Sequence, residues 1–288
     1  SKDNPGIIYC PISGYNPSGP KSRELGQDML LQGASGMATL SGREGFGPAP
    51  VGIFAVDAYT AMINVIAVLS AVRHRDFSGE GQFVHADMLS SALHMMMEEV
   101  SYVLNVDPTI ERSRPYAGHP QAKVPYGAYS ASDGDFVLSV SNAAQLEVFA
   151  KALGVSDEIG PLISESGQRR YRDRIGEVLA REFATMGVSE IGNAAAEAGI
   201  WMGPVRSLAE ALKDPAVVAS ELIGEHETTS FGRYRYIREP ITLTASPLKQ
   251  SRPAPALGEH TREVLAELGY SETQVEQLIA DGSVVVKD

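Results

Sequence analysis

Residues 51–75 read VGIFAVDAYTAMINVIAVLSAVRHR, and the reading of this stretch decides the rest. A Gly/Pro-rich loop, 42–50, leads into the short apolar run Val51 to Val56. A helix is then expected from about Asp57 to Arg75. Its end is marked by His74 and Arg75 in the last turn, then by Gly79 and Gly81. The part from Ala58 to Val72 contains Thr60, Asn64 and Ser70, falls short of the roughly 18 apolar residues of a membrane span, and reads as a buried helix. Asp57 stands where the apolar run meets the helix. Aspartate is a common N-cap, so capping is the plain reading of this residue. The same place supports chemistry, because free N–H groups at a helix start favour a carboxylate, and a partly desolvated carboxylate can act as a covalent nucleophile.

Upstream, Ile7 to Ile12 reads as a short buried strand, followed by a Gly/Pro/Ser loop. Gln27 to Leu40 reads as a helix rich in small residues. Gln27 and Asp28 open it, either as a cap with a solvated amide or as a hydrogen-bonding pair facing the same cleft as Asp57. Downstream, Gln82 to His85 fits a short strand and Asp87 to Leu104 a helix with a Met stripe that suits a core. A polar linker follows Asp107-Pro108. His119-Pro120 and Tyr126 then lie in a Gly/Pro loop, where a lone histidine is commonly structural. Phe136 to Val140 alternates after a turn at Ser132-Asp133-Gly134. Helices are expected at Leu146 to Leu153, Tyr171 to Phe183, Ser189 to Ala198, Thr261 to Leu268 and Ser271 to Ala280, and an alternating stretch at Arg233 to Thr244. Strands mixed with helices indicate an α/β or α+β protein.

The 288 residues are enough for two domains, and the formal net charge of −12 argues against nucleic acid as a partner. Cys10 is the single cysteine, so no intrachain disulfide is possible, which fits a reducing, cytoplasmic setting. No signal peptide is legible and no membrane association is expected. His94 and Glu98 share the i, i+4 spacing of metal ligands, but no third ligand is indicated and no metal is expected. Gly45-Phe-Gly47 is followed by Pro48 where a dinucleotide motif would open a helix.

Taken in order, the motifs resemble family III CoA-transferases, the CaiB/BaiF group. Asn4-Pro5, Ile7-Ile8-Tyr9-Cys10, Ile12-Ser13-Gly14-Tyr15 and Ser18-Gly19-Pro20 are similar to the stretch NPRLIYCSISGFGQTGP of that family. Gly26-Gln27-Asp28, Gln32 and Ser35-Gly36 fit its next helix. Val51 to Asp57 fits the segment that delivers its catalytic aspartate. Gly79-Glu80-Gly81-Gln82, His119-Pro120 with Pro125-Tyr126, Ala198-Gly199-Ile200 with Gly203-Pro204-Val205, and Leu257 to Thr261 with Leu268 to Ser271 continue the match to the end of the chain.

The resemblance implies a Rossmann-like large domain, incomplete here, with an inserted small α+β domain. Residues 1–107 would be the first part of the large domain, 108–205 the small domain, and 206–288 the part returning to the large one. An interlocked homodimer is implied, as is a longer N-terminal segment carrying many CoA contacts. The chain therefore reads as one whose beginning is missing, with weak CoA affinity expected of it alone. The implied activity is transfer of coenzyme A from an acyl-CoA to a small carboxylic acid, through an aspartyl anhydride and an aspartyl-CoA thioester. Asp57 would be the nucleophile, and Gln27, Asp28, His119 and Tyr126 would contact substrate or CoA. No tightly bound cofactor is implied, CoA thioester being the substrate. The alternatives are a CoA-thioester racemase or lyase on the same scaffold, and a non-catalytic fragment or partner subunit. The racemases of the family carry histidine where this chain has Gln27, and an amide cannot exchange an α-proton. An acyl-CoA incubated with the protein in deuterated solvent should therefore keep its α-protons. Mass-spectrometric deuteration at a rate near turnover would restore the racemase reading.

Overall fold

The computed structural model describes residues 2–42, 45–110, 118–119, 121–164, 166–228, 232–248 and 253–287. The second half of the expected linker and Pro120 lie outside them. The chain is a mixed α/β protein with two compact units, residues 1–205 and 206–288.

The first unit begins with a helical group. Helix α1 (Asp28–Ala34) and the single-turn α2 (Met37–Leu40) replace the one helix expected from Gln27 to Leu40. The break falls at Gly36, whose φ of +88° lies in the left-handed region open to glycine. Helix α3 (Ala55–Ser78) starts two residues before the expected Asp57 and stops against left-handed Gly79, the residue the sequence marks as its stop. Helix α4 (Met88–Met95) and α5 (Met97–Asn105) divide the expected Asp87–Leu104 helix. The division turns Met96 inward, into a cluster with Leu31, Val56, Met88 and Ala92. Met95 and Met97 face outward, so only part of the Met stripe is core.

Two expectations fail here. Ile7 to Ile12 is not a buried strand: one parallel bridge joins Tyr9 to Phe83, and Tyr9 is 60% exposed. No further strand is described on either side, and of the apolar side chains Val84 is buried while Ile7, Tyr9, Ile12 and Phe83 stay exposed. Nor is α3 buried. It packs through one face on α1 and α4, while Met62, Val65, Ile66, Leu69 and Phe77 are exposed along the other. At 24 residues α3 is also long and apolar enough to cross a membrane by length and composition, beyond what the run to Val72 suggested.

Residues 118–205 build a second core. Strands β1 (Tyr126–Ser130), β2 (Asp135–Ser139) and β3 (Trp201–Pro204) form an antiparallel sheet in that order. The β1–β2 turn falls at 132–134, as expected, closed by the Ala131 N–H on the Gly134 carbonyl. Phe136 and Leu138 point into the core and Val137 away from it. Helices α6 (Ala143–Ala152), α7 (Ser156–Ile159), α8 (Gly167–Arg170), α9 (Arg172–Phe183) and α10 (Val188–Glu197) cover the inner face. Phe183 of α9 meets Tyr129 and Phe136 edge-on at 5.2 and 5.1 Å. Asp133 in the hairpin turn accepts the Val188 N–H at 2.7 Å, so the turn of the sheet caps α10.

The second unit contains a hairpin of β4 (Ile223–Thr228) and β5 (Gly232–Ile237), shorter than the alternation to Thr244 suggested. Helices α11 (Leu208–Ala211), α12 (Pro215–Ala219), α13 (Thr261–Glu267) and α14 (Glu272–Ala280) accompany it. Ser207 with Glu210 and Ser271 with Gln274 form reciprocal capping boxes on α11 and α14.

Gln168 conflicts with its surroundings. Its side chain is 0% exposed, and neither its amide nitrogen nor its oxygen has a hydrogen-bond partner among the described residues. Leaving such a group unpaired in a core costs about 1–3 kcal/mol. Gln168→Met keeps the length and removes the polar atoms. It should raise the unfolding free energy by about 1 kcal/mol in urea denaturation, whereas a lower midpoint would mean that the amide has a partner in solution.

Candidate active site

The start of α3 is organised by a residue from another helix. Phe54 occupies the N-cap position and offers no side-chain acceptor. The N–H groups of Val56 and Asp57, second and third in the helix, both donate to Oδ2 of Asp28, at 2.8 and 3.1 Å. These are the donors that a local cap would satisfy. Asp28 lies on α1 and is only 3% exposed. Its other oxygen accepts from the Gln32 amide, one turn along the same helix. Gln32, 1% exposed, also donates to the Ile53 carbonyl at 3.3 Å and accepts the Val51 N–H at 2.8 Å. Asp28 and Gln32 thus fix both the loop that enters α3 and its first turn.

This corrects the plain reading of Asp57. It is not the N-cap. It sits in the first turn with its backbone N–H held by Asp28, and its own carboxylate is exposed and has no partner among the described residues. A negative charge there faces the positive end of a 24-residue helix. The two carboxylates divide the work: the buried one holds the helix and the exposed one is available to react.

Glycine places this pair. The backbones of Gly14 and Gly26 cross so closely that a Cβ built on either would lie 2.4 and 2.3 Å from the other's Cα. That crossing sets the entry to Gln27, which is exposed at the N-cap of α1 and makes no capping bond with its side chain. The loop 13–15 also serves α4, whose Met88 and Leu89 N–H groups donate to the Ser13 and Gly14 carbonyls.

Of the five residues expected at the site, the structure joins Asp28 to Asp57 and sets Gln27 beside them in sequence. His119 and Tyr126 are joined to each other through Gly118, whose N–H donates to the Tyr126 carbonyl at 2.5 Å. His119 Nε2 donates to Glu99 of α5 at 2.8 Å while its Nδ1 accepts the Gln121 N–H. Glu98, Glu99 and His119 have ligand atoms within 4.8 Å of one another, close enough for a metal ion. The wiring of the imidazole suits a hydrogen bond to Glu99 better than a metal, because a nitrogen that already donates to Glu99 would have to lose its proton to coordinate. His94 does not pair with Glu98; its Nδ1 bonds the Tyr59 hydroxyl at 2.8 Å. Sequence reasoning missed the cap formed by Asp28 and the partner Glu99. The spacing of Asp28 and Gln32, four apart on one helix face, was the available signal for the first.

Residues 1–261 match the family described as CoA-transferase family III. The chain belongs to that family. It is 28% identical over 270 residues to a succinate–glutarate CoA-transferase of Agrobacterium fabrum, covering 92% of this chain and 66% of that protein. It is 27% identical over 277 residues to a succinyl-CoA:mesaconate CoA-transferase of Haloarcula hispanica, covering 92% of this chain and 67% of that protein. The crystal structure of a CaiB/BaiF family protein from Brucella suis superposes with a TM-score of 0.76 at 26% identity, over 92% of this chain and 68% of that one. This family member thus spans about two thirds of the length of such relatives.

The capping arrangement makes a prediction. Asp28→Ala removes the acceptor of two N–H groups and strands the Gln32 amide, and should lower the unfolding free energy by about 2 kcal/mol in urea denaturation, the upper range for a lost cap. Asp28→Asn keeps one acceptor oxygen and should lose less than half of that. Equal stability of Asp28→Ala and the native chain would remove Asp28 from this role.

Proposed function

We propose that this chain carries the nucleophile of an acyl-CoA:carboxylate CoA-transferase, with Asp57 as the attacking group. The observation that carries the reading is the unengaged Asp57 carboxylate in the first turn of α3, held there through its backbone by a second, buried carboxylate. Membership of the family supports the reaction type. Relatives named for succinate, glutarate and mesaconate support short dicarboxylic acids as donor and acceptor.

In the proposed reaction an oxygen of Asp57 attacks the thioester carbonyl. The C–S bond breaks, leaving a mixed anhydride on Asp57 and CoA thiolate. The thiolate then attacks the aspartyl carbonyl, releasing the donor acid and forming an aspartyl-CoA thioester. An acceptor carboxylate attacks that thioester, giving a new anhydride and thiolate. Attack of the thiolate on the acceptor's acyl carbonyl releases the new acyl-CoA and restores Asp57. No proton needs to be transferred in any step, which suits a site whose neighbouring residue is the amide Gln27. A carboxylate is a weak nucleophile in water, so the rate must come from holding it against the thioester. The first turn of α3 supplies the fixed position. We include in the proposal the homodimer that the resemblance implies, with His119 and Tyr126 contacting bound substrate.

The test uses succinyl-CoA and glutarate with mass spectrometry. Glutaryl-CoA should form, and the peptide containing Asp57 should gain the mass of CoA less water when quenched with donor present. Asp57→Asn should lower turnover at least 1,000-fold while circular dichroism is unchanged. Turnover within tenfold of the native chain in that variant would reject Asp57 as nucleophile.

A further inference from the structure

The loop that leads towards α1 is tied to the neighbouring segment by His85. Segments 7–12 and 82–85 run parallel: the Tyr9 N–H donates to the Gln82 carbonyl at 3.1 Å, and the Val84 N–H to the Tyr9 carbonyl at 2.9 Å. Ser13 and His85 therefore stand at the same, carboxyl-terminal end of the two segments, the end where ligands meet parallel strands. There His85 Nε2 lies 2.9 Å from Ser13 Oγ. Counting protons fixes the direction of this bond. A serine hydroxyl has one proton. Ser13 donates it to the Tyr15 carbonyl at 2.7 Å, an oxygen that can only accept. Towards His85 the same hydroxyl is the acceptor, so the imidazole carries a proton on Nε2. Phe83 supports the ring from one side by stacking, with centroids 6.1 Å apart.

We propose that His85 is a positioning residue for the transfer reaction, acting on Asp57 through Ser13 and the crossing of Gly14 with Gly26. The proposal rests on the reading of Asp57 as the nucleophile. Each contact on the way leaves little slack. Ser13 is bonded to His85, and Gly14 follows it. The Gly14 backbone packs on that of Gly26 so closely that neither has room for a Cβ. Gly26 leads directly into Gln27, the N-cap of α1, and Asp28, whose Oδ2 holds the Val56 and Asp57 N–H groups. Backbones packed at this density pass a displacement on rather than absorb it. Tyr15, buried in the cluster of Leu31 and Val56, anchors the far side of the loop. His85 anchors the near side. It is not a base in the reaction, because its Nε2 already carries the proton it donates and no step of the transfer moves a proton.

Three variants test this. His85→Phe keeps a ring against Phe83 and removes the donor. Ser13→Ala removes the acceptor. His85→Gln puts an amide N–H at the reach of imidazole Nε2. Amide hydrogen exchange is followed at Met88 and Leu89, which donate to the loop, and at Val56 and Asp57, at the other end of the chain of contacts. In His85→Phe and Ser13→Ala, Val56 and Asp57 should exchange about threefold faster or more, while amides in the middle of α3 are unchanged. A merely local support would alter Met88 and Leu89 alone. Turnover of succinyl-CoA with glutarate should fall about tenfold or more in both variants, and His85→Gln should restore it to within about threefold of the native chain. In proton–nitrogen correlation spectra the His85 ring should be protonated at Nε2. The proposal is overturned if that ring is protonated at Nδ1 alone, if Val56 and Asp57 exchange at the native rate in the two disrupting variants, or if His85→Gln does no better than His85→Phe. Should His85→Phe not fold, Ser13→Ala carries the same comparison. Failure of the nucleophile reading is distinguishable: it shows as an active Asp57→Asn and leaves the exchange results as they are.

Discussion

The carboxylate of Asp28, buried against the start of α3, is the contact on which the helical part of this protein turns. A buried charge is tolerated only when its oxygens are matched by donors. Here they are matched by two backbone N–H groups and the Gln32 amide. The match runs both ways, since α3 has no cap of its own and would otherwise bury an open first turn. One residue thus joins α1 to α3, sets the 51–53 loop through Gln32, and brings Leu31 and Val56 into the same cluster. Presentation of Asp57 follows from this: its backbone is fixed and its side chain is not. The N–H groups of the first helical turn that meet Asp28 lie at the helix end where negative charge is favoured.

The parts of this arrangement that were legible in the sequence are those written in local residues. Gly79 marked the end of α3, 132–134 marked the hairpin turn, and Phe136 to Val140 alternated as a half-buried strand does. What escaped was non-local. Asp28 caps a helix that begins 27 residues later, and no local pattern says that Phe54 will be left without help. Ile7 to Ile12 has the composition of a buried strand, but burial depends on neighbours, and among the described residues the only β-pairing it finds is the bridge to Phe83. The division of α4 from α5 at Met96 involves neither proline nor glycine, so no breaker announced it. Trp201 and Tyr126 lie 75 positions apart, and only the sheet register places them in one row.

The candidate residues also show how a resemblance and a structure inform each other. The match of residues 1–261 assigns the family, and geometry then separates the roles. Asp28 caps the first turn of α3 that carries Asp57, His119 ties the loop before β1 to Glu99 of α5, and Tyr126 lines a cavity on the outer face of the sheet. Along α3 the apolar side chains Met62, Val65, Ile66, Leu69 and Phe77 are exposed in their own unit.

Amide hydrogen exchange at Val56 and Asp57 tests the central claim most directly. These two N–H groups precede the intrahelical ladder, and Asp28 is their acceptor. In the native chain both should exchange at least tenfold more slowly than unprotected amides. In Asp28→Ala they should exchange near the unprotected rate, while amides in the middle of α3, such as that of Val65, keep their protection. Unprotected exchange in the native chain, or unchanged protection in Asp28→Ala, would contradict the account.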